Sequence, residues 1–167
     1  MIDTYVENCL FYGNRYRPGG ANDHVGGGMF KYWGGGVLSN CRAHNCTVVD
    51  NEGYGLWDGE NYNCIVVNNT YDAYVSKGNE SRCNFYCRFT SKSAIQVGAS
   101  IGASISGTGI SYGKVIFADA AKHDYRLVEG SPCIDAGNNA YAEGKTDLAD
   151  NDRVVNEKVD LGCYEYH

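Results

Sequence analysis

The sequence predicts an all-β chain built as a stack of short coils, a β-solenoid, and three observations carry that prediction. A motif recurs at intervals of 18 to 19 residues. Its members are short runs of β-branched and aromatic residues bounded by Gly, Asn and Asp, the pattern of brief strands joined by tight turns. Through residue 90, glycines and asparagines interrupt every helical candidate before ten residues accumulate. Stacked coils lie about 4.8 Å apart, so one side-chain type returns at each step as a column.

The elements follow in order. Asn8-Cys9-Leu10-Phe11-Tyr12-Gly13-Asn14 is the first copy, and Asn45-Cys46-Thr47-Val48-Val49-Asp50-Asn51 resembles it. Asn63-Cys64-Ile65-Val66-Val67-Asn68-Asn69 is the next copy, and Arg82-Cys83-Asn84-Phe85-Tyr86 is a degenerate one. The four cysteines stand 37, 18 and 19 positions apart, so the first interval spans about two of the later ones. Between the copies lie Gly26-Gly27-Gly28-Met29-Phe30, Gly34-Gly35-Gly36-Val37-Leu38, Gly53-Tyr54-Gly55-Leu56-Trp57 and Tyr71-Asp72-Ala73-Tyr74-Val75, which supply a further strand per coil. The expected architecture is about five coils, with Cys9, Cys46, Cys64 and Cys83 as an inward column. Turn asparagines take positive φ and bond from coil to coil. Residues 1–90 form the coils, 91–113 an irregular connecting turn, and 114–167 a β-rich cap packed on them.

Composition removes several function classes. The 167 residues include 22 Gly, 14 Tyr and 8 Cys, with a formal net charge of −6. That balance, without clustered Lys and Arg, argues against a nucleic-acid partner. No apolar stretch reaches the roughly 20 residues of a membrane span. Nor does Met1-Ile2-Asp3-Thr4 open a signal peptide. Because Tyr5 already belongs to a coil, an open solenoid end is expected there. Such an end is met either by a longer β-helix of which this is the C-terminal part, or by an N-terminal docking partner or a second copy.

Four blocks near the C-terminus carry a family resemblance. His123-Asp124-Tyr125-Arg126-Leu127, Gly130-Ser131-Pro132-Cys133-Ile134-Asp135-Ala136-Gly137, Thr146-Asp147-Leu148 and Val159-Asp160-Leu161-Gly162-Cys163-Tyr164-Glu165-Tyr166 occur in one order and spacing. Together they resemble the end domain of right-handed parallel β-helix proteins of the "choice-of-anchor Q" type. The resemblance implies a right-handed parallel β-helix of the pectate-lyase-like kind, exported, surface-associated or virion-associated. Some relatives of that fold are polysaccharide lyases, hydrolases or phage tailspikes, so fold alone transfers no activity. Cys133 and Cys163 replace residues that are usually alanine in this pattern, and their paired replacement implies contact or a disulfide.

Candidate site residues are few. Asp58, Glu60 and Asp72 are the carboxylates that acid–base chemistry could use, although Asp58-Gly59 is also a turn signal. Asp147, Asp150 and Asp152 could hold calcium, the one cofactor the sequence leaves open, but the closing Glu of an EF-hand is missing. No histidine sits in a triad context and no glycine run is a phosphate loop. Three Asn-x-Ser/Thr sequons, at Asn45, Asn68 and Asn79, fall at turns of the repeat. Aromatic residues carry the strongest hint: Tyr32, Trp33, Tyr54, Trp57 and Tyr71 would offer flat surfaces for a sugar ring or another protein. The expectation is a non-catalytic surface or virion module binding polysaccharide or a surface protein. The alternative is a polysaccharide lyase or glycoside hydrolase, or a fragment of one.

Overall fold

The computed structural model describes residues 4–15, 38–39, 41–76, 84–98, 100–101, 105 and 107–167. Among these the chain is all-β, broken only by 3-10 turns at Lys92–Ala94, Ala120–Lys122 and Asn139–Tyr141. The strands are β1 (Tyr5–Glu7), β2 (Leu10–Tyr12), β3 (Leu38–Ser39), β4 (Arg42–His44), β5 (Thr47–Val49), β6 (Tyr54–Trp57), β7 (Glu60–Tyr62) and β8 (Ile65–Val67). They continue with β9 (Tyr71–Val75), β10 (Asn84–Phe85), β11 (Arg88–Phe89), β12 (Ile95–Val97), β13 (Ser100–Ile101), β14 (Ser111–Tyr112), β15 (Phe117–Asp119) and β16 (Asp124–Leu127).

Pairing follows a step of three. One sheet runs β1-β4-β7-β10, a second β2-β5-β8-β11-β14, and a third β3-β6-β9-β12-β13. Every pair in the first two sheets is parallel, and only β12–β13 in the third is antiparallel. Strands β12 and β14, which extend two of these sheets, lie inside the segment read from sequence as an irregular turn. β15 and β16 form a separate antiparallel pair.

One buried cluster draws on all three sheets: Val6 and Ala43 from the first, Val48, Val66 and Phe89 from the second, Leu56, Ala73 and Ile95 from the third. The second sheet is also covered on its other face, where Val49, Ile65 and Val67 pack against Val115, Tyr125, Leu127, Cys133 and Leu161. That double burial explains why Thr47-Val48-Val49 and Ile65-Val66-Val67 are buried at every position instead of alternating.

Two parts of the repeat reading are corrected. β1 and β2 bond directly to β4 and β5, Leu10 facing Thr47 and the Thr47 N–H reaching the Cys9 carbonyl at 2.9 Å. Among the described residues no strand of these two sheets lies between β2 and β4. The second correction concerns the thiol column, which ends on Cys87. Arg88 pairs with Ile65, which sets Cys87 beside Cys64, and Phe89 takes the inward place of Val66. Cys46, Cys64 and Cys87 each point Sγ at the backbone carbonyl of the neighbouring strand: Val6 at 3.8 Å, Ala43 at 3.6 Å and Asn61 at 3.5 Å. Cys83 lies outside the described residues, as do the glycine runs at 26–28 and 34–36 and the sequon at Asn79.

The corner before this column has one backbone conformation. Asn8, Asn45 and Asn63 have φ of 48°, 48° and 52°, and Tyr86 occupies the same corner at 52°. Asparagine tolerates that left-handed region, so three copies match local preference, whereas Tyr86 is held there by packing. The amide ladder belongs to other asparagines. Asn14 Nδ2 donates to Asn51 Oδ1 at 2.7 Å, and Asn51 Nδ2 to Asn69 Oδ1 at 2.9 Å. The corner asparagines instead hold the C-terminal segment: Asn8 donates to the Thr146 carbonyl, Asn45 to that of Asp160 and Asn63 to that of Asn138.

Candidate functional site

Of the aromatic residues singled out from sequence, Tyr54, Trp57 and Tyr71 come together on the third sheet. Parallel pairing of β6 with β9 puts Tyr54 opposite Tyr71 and Trp57 opposite Tyr74. Leu56 and Ala73 in the same strands are buried inward, which turns the adjacent Trp57 and Tyr74 to the outer side. Tyr54 and Tyr71 stack with centroids 4.9 Å apart, and Trp57 and Tyr74 stack at 3.9 Å. Tyr54 also meets Trp57 and Tyr74 edge-on, at 5.4 and 5.8 Å, so the four rings form one patch. Trp57, Tyr71 and Tyr74 are half-buried, while Tyr54 is buried beneath them.

The patch depends on close strand approach at Gly55. A Cβ there would lie 2.8 Å from the Asp72 carbonyl and 3.0 Å from Val66. The Tyr54 hydroxyl donates to Gln96 Oε1 on β12, and Gln96 Nε2 donates onward to the Gly98 carbonyl at 2.8 Å. Burial, with Tyr71 and Tyr74 beside it, pushes the Tyr54 phenol up to about 12, so it remains a neutral donor. Tyr74 is the one member of the patch that is not among the sequence candidates. Its signal was the 17-residue spacing that relates Trp57 to Tyr74 just as it relates Tyr54 to Tyr71. Tyr32 and Trp33 lie outside the described residues.

The candidate acids are engaged in structure. Asp58 has φ of 50° and accepts the Ser76 backbone N–H at 2.6 Å and the Ser76 hydroxyl at 2.5 Å, which is turn chemistry. Glu60 faces Arg42 across the β4–β7 pairing, with 2.8 Å between carboxylate and guanidinium. Asp72 is fully buried; it accepts the Thr90 N–H at 2.6 Å and the Asn69 N–H at 3.2 Å. Burial raises its carboxyl to about 6 in spite of those donors. None of the three is a free carboxylate facing solvent.

Calcium and disulfide candidates fare similarly. Asp147 accepts backbone N–H groups from Ala149, Asn151 and Glu165 at 2.8, 2.9 and 2.9 Å. Burial raises its carboxyl, but those donors outweigh it and hold the group below its ordinary value. Asp150 and Asp152 stand exposed, and among the described residues no three His, Cys, Asp or Glu side chains are grouped to hold a metal ion. Cys133 and Cys163 are free thiols, both buried. Their segments do meet, the Leu161 N–H donating to the Cys133 carbonyl at 3.0 Å, but the Cys163 N–H turns to Thr47 Oγ1 at 3.1 Å. Burial pushes both thiols up to about 12.

A second feature has no counterpart in the sequence reading. An open groove of about 500 Å³ lies between the turns at Asp50–Glu52 and Asn68–Thr70 and the segment Ala120–His123. With Gly13 and Arg15 also on its wall, its residues come from four separate stretches, and only folding makes them neighbours. No protein-family model matches this chain, and no curated protein or solved structure is significantly similar to it. Among the described residues no helix is long and apolar enough to cross a membrane.

Proposed function

We propose that the chain is a non-catalytic binding module that engages a polysaccharide or a surface protein through the aromatic face of the third sheet. In this reading it is wound as a right-handed parallel β-helix with a cap of the choice-of-anchor Q type, and it serves on a cell surface or virion. The step-of-three parallel pairing supports the winding, and parallel crossover connections are right-handed in about 98% of cases. The single observation that carries the binding role is the Tyr54–Tyr71 and Trp57–Tyr74 patch, four rings on a rigid sheet with three of them half-buried. Aromatic rings fixed in this way bury large area without losing side-chain freedom on contact. The engagement of Asp58 by Ser76 and of Glu60 by Arg42 supports binding over turnover.

One assay with two readouts tests this. Incubation with bacterial and plant polysaccharides should give retention that Trp57→Ala weakens at least about tenfold, with no newly released ends. Release of soluble sugar products that is lost in Asp58→Asn would overturn the non-catalytic reading. Retention unchanged in Trp57→Ala would overturn the aromatic face.

A further inference from the structure

The groove beside His123 differs in chemistry from the aromatic face. Tyr125 donates its hydroxyl hydrogen to Asp50 Oδ2 at 2.8 Å, so its oxygen can only accept from His123 Nδ1, 3.5 Å away. In the neutral ring that leaves Nε2 as an acceptor. His123 itself has φ of 63° after the 3-10 turn at Ala120–Lys122, and its ring lies 4.9 Å from that of Tyr12, which is 43% exposed. The imidazole is therefore held by a hydrogen-bond chain on one edge and a ring on one face.

Four groups along the groove make no side-chain hydrogen bond within the described residues: Asp50 Oδ1, the Asn68 amide, the Thr70 hydroxyl and His123 Nε2. Two only accept, and two both donate and accept. An anion is disfavoured by Asp50 and Glu52, since Arg15, the guanidinium on the groove, stands 3.6 Å from Glu52. A bound metal ion is disfavoured because no cluster of three ligating side chains occurs among the described residues. A mixed donor and acceptor set beside a held ring suits a neutral ligand dense in hydroxyl groups. The volume falls within the range of small-ligand sites, roughly 300–1,000 Å³.

We infer that this groove is a saccharide-binding subsite, in which Asp50, Asn68, Thr70 and His123 hydrogen-bond a short oligosaccharide. The subsite does not depend on the aromatic face, and the test separates the two. Cellohexaose, xylohexaose and chitohexaose are titrated into 15N-labelled protein while the backbone amides of Thr70, Ala121 and His123 are followed. At least one of these sugars should shift the three amides saturably. Ala121→Trp fills the groove from an exposed position and should weaken that binding at least about tenfold. Asn68→Gly keeps the positive φ, removes the amide and should weaken it severalfold. Trp57→Ala should leave the groove titration unchanged, even where it abolishes retention on polysaccharide. Absence of any saturable shift at millimolar sugar, or full affinity in Ala121→Trp and Asn68→Gly with native-like spectra, overturns the assignment.

Discussion

Asn63 and Asn138 exchange hydrogen bonds across 75 positions of sequence: Asn63 Nδ2 donates to the Asn138 carbonyl at 3.0 Å, and Asn63 Oδ1 accepts the Asn138 N–H at 2.9 Å. A residue whose positive φ suits the turn between β7 and β8 thus also fastens the C-terminal segment. Asn63→Ala should cost about 2–4 kcal/mol, combining two lost hydrogen bonds with left-handed strain. Asn63→Gly, which keeps the conformation, should cost only about 1–2 kcal/mol. Urea denaturation of both variants checks the split, and equal costs would remove the conformational part.

Gly162 lies against Thr47 and Ile65 with φ of 92°, where an added Cβ would come within 2.6 Å of Thr47 Oγ1 and 2.8 Å of Ile65 Cδ1. Gly162→Ala should therefore destabilise by about 2–4 kcal/mol. Gly130 has φ of 81° with open space around it, so Gly130→Ala should cost only about 1 kcal/mol. Thermal unfolding of the two variants side by side measures how tightly the C-terminal segment is seated. Equal losses would mean that the close approach at Gly162 contributes nothing.

Asp72 links stability to pH. Its carboxyl holds a proton up to about 6 in the folded chain, against 3.8 ordinarily, so the folded state binds more protons in that interval. Its contribution is full below the unfolded value and is lost as pH rises through about 6, a fall of about 3 kcal/mol at most. Asp72→Asn should flatten this slope between pH 4 and 6 in urea midpoints. An identical slope in both proteins would show that another group is responsible.

Thiol chemistry distinguishes the column members. Cys9 is partly exposed, while Cys41, Cys46, Cys64, Cys87, Cys133 and Cys163 are buried. In a Cys83→Ser background, a thiol reagent should label one site in the native protein and the rest only after unfolding. That site should react slowly, because the neighbouring Cys46 thiol, and then burial, raise Cys9 well above its ordinary value. Loss of the native signal in Cys9→Ser confirms the site; fast labelling of several thiols would contradict the buried column.

The aromatic patch was legible because in-register residues recur at one spacing, which puts Tyr71 beside Tyr54 and Tyr74 beside Trp57. The thiol column was legible through Cys64 and then misassigned, because Asn84-Phe85-Tyr86 looks like a strand at the wrong step. Register was decided by Phe89, the large apolar side chain that fills the inward place after Val66. A composition match cannot see that, since it does not know which position must be buried. The groove had no signal in sequence, because Asp50, Asn68 and His123 acquire meaning only as neighbours.

The sequence by itself determined the all-β class, the corners at Asn8, Asn45 and Asn63, and the residues available for an outer aromatic face. Those are local properties: β-branched runs, glycine and asparagine at turns, and a repeat that returns like to like. Tertiary structure decided which strands pair, that Asp58 and Asp147 serve turns, and that the C-terminal segment covers the second sheet. The physical reason is that a carboxylate's role follows from the donors around it, and a strand's register from the side chain that must be buried. Both are settled by contacts between distant residues.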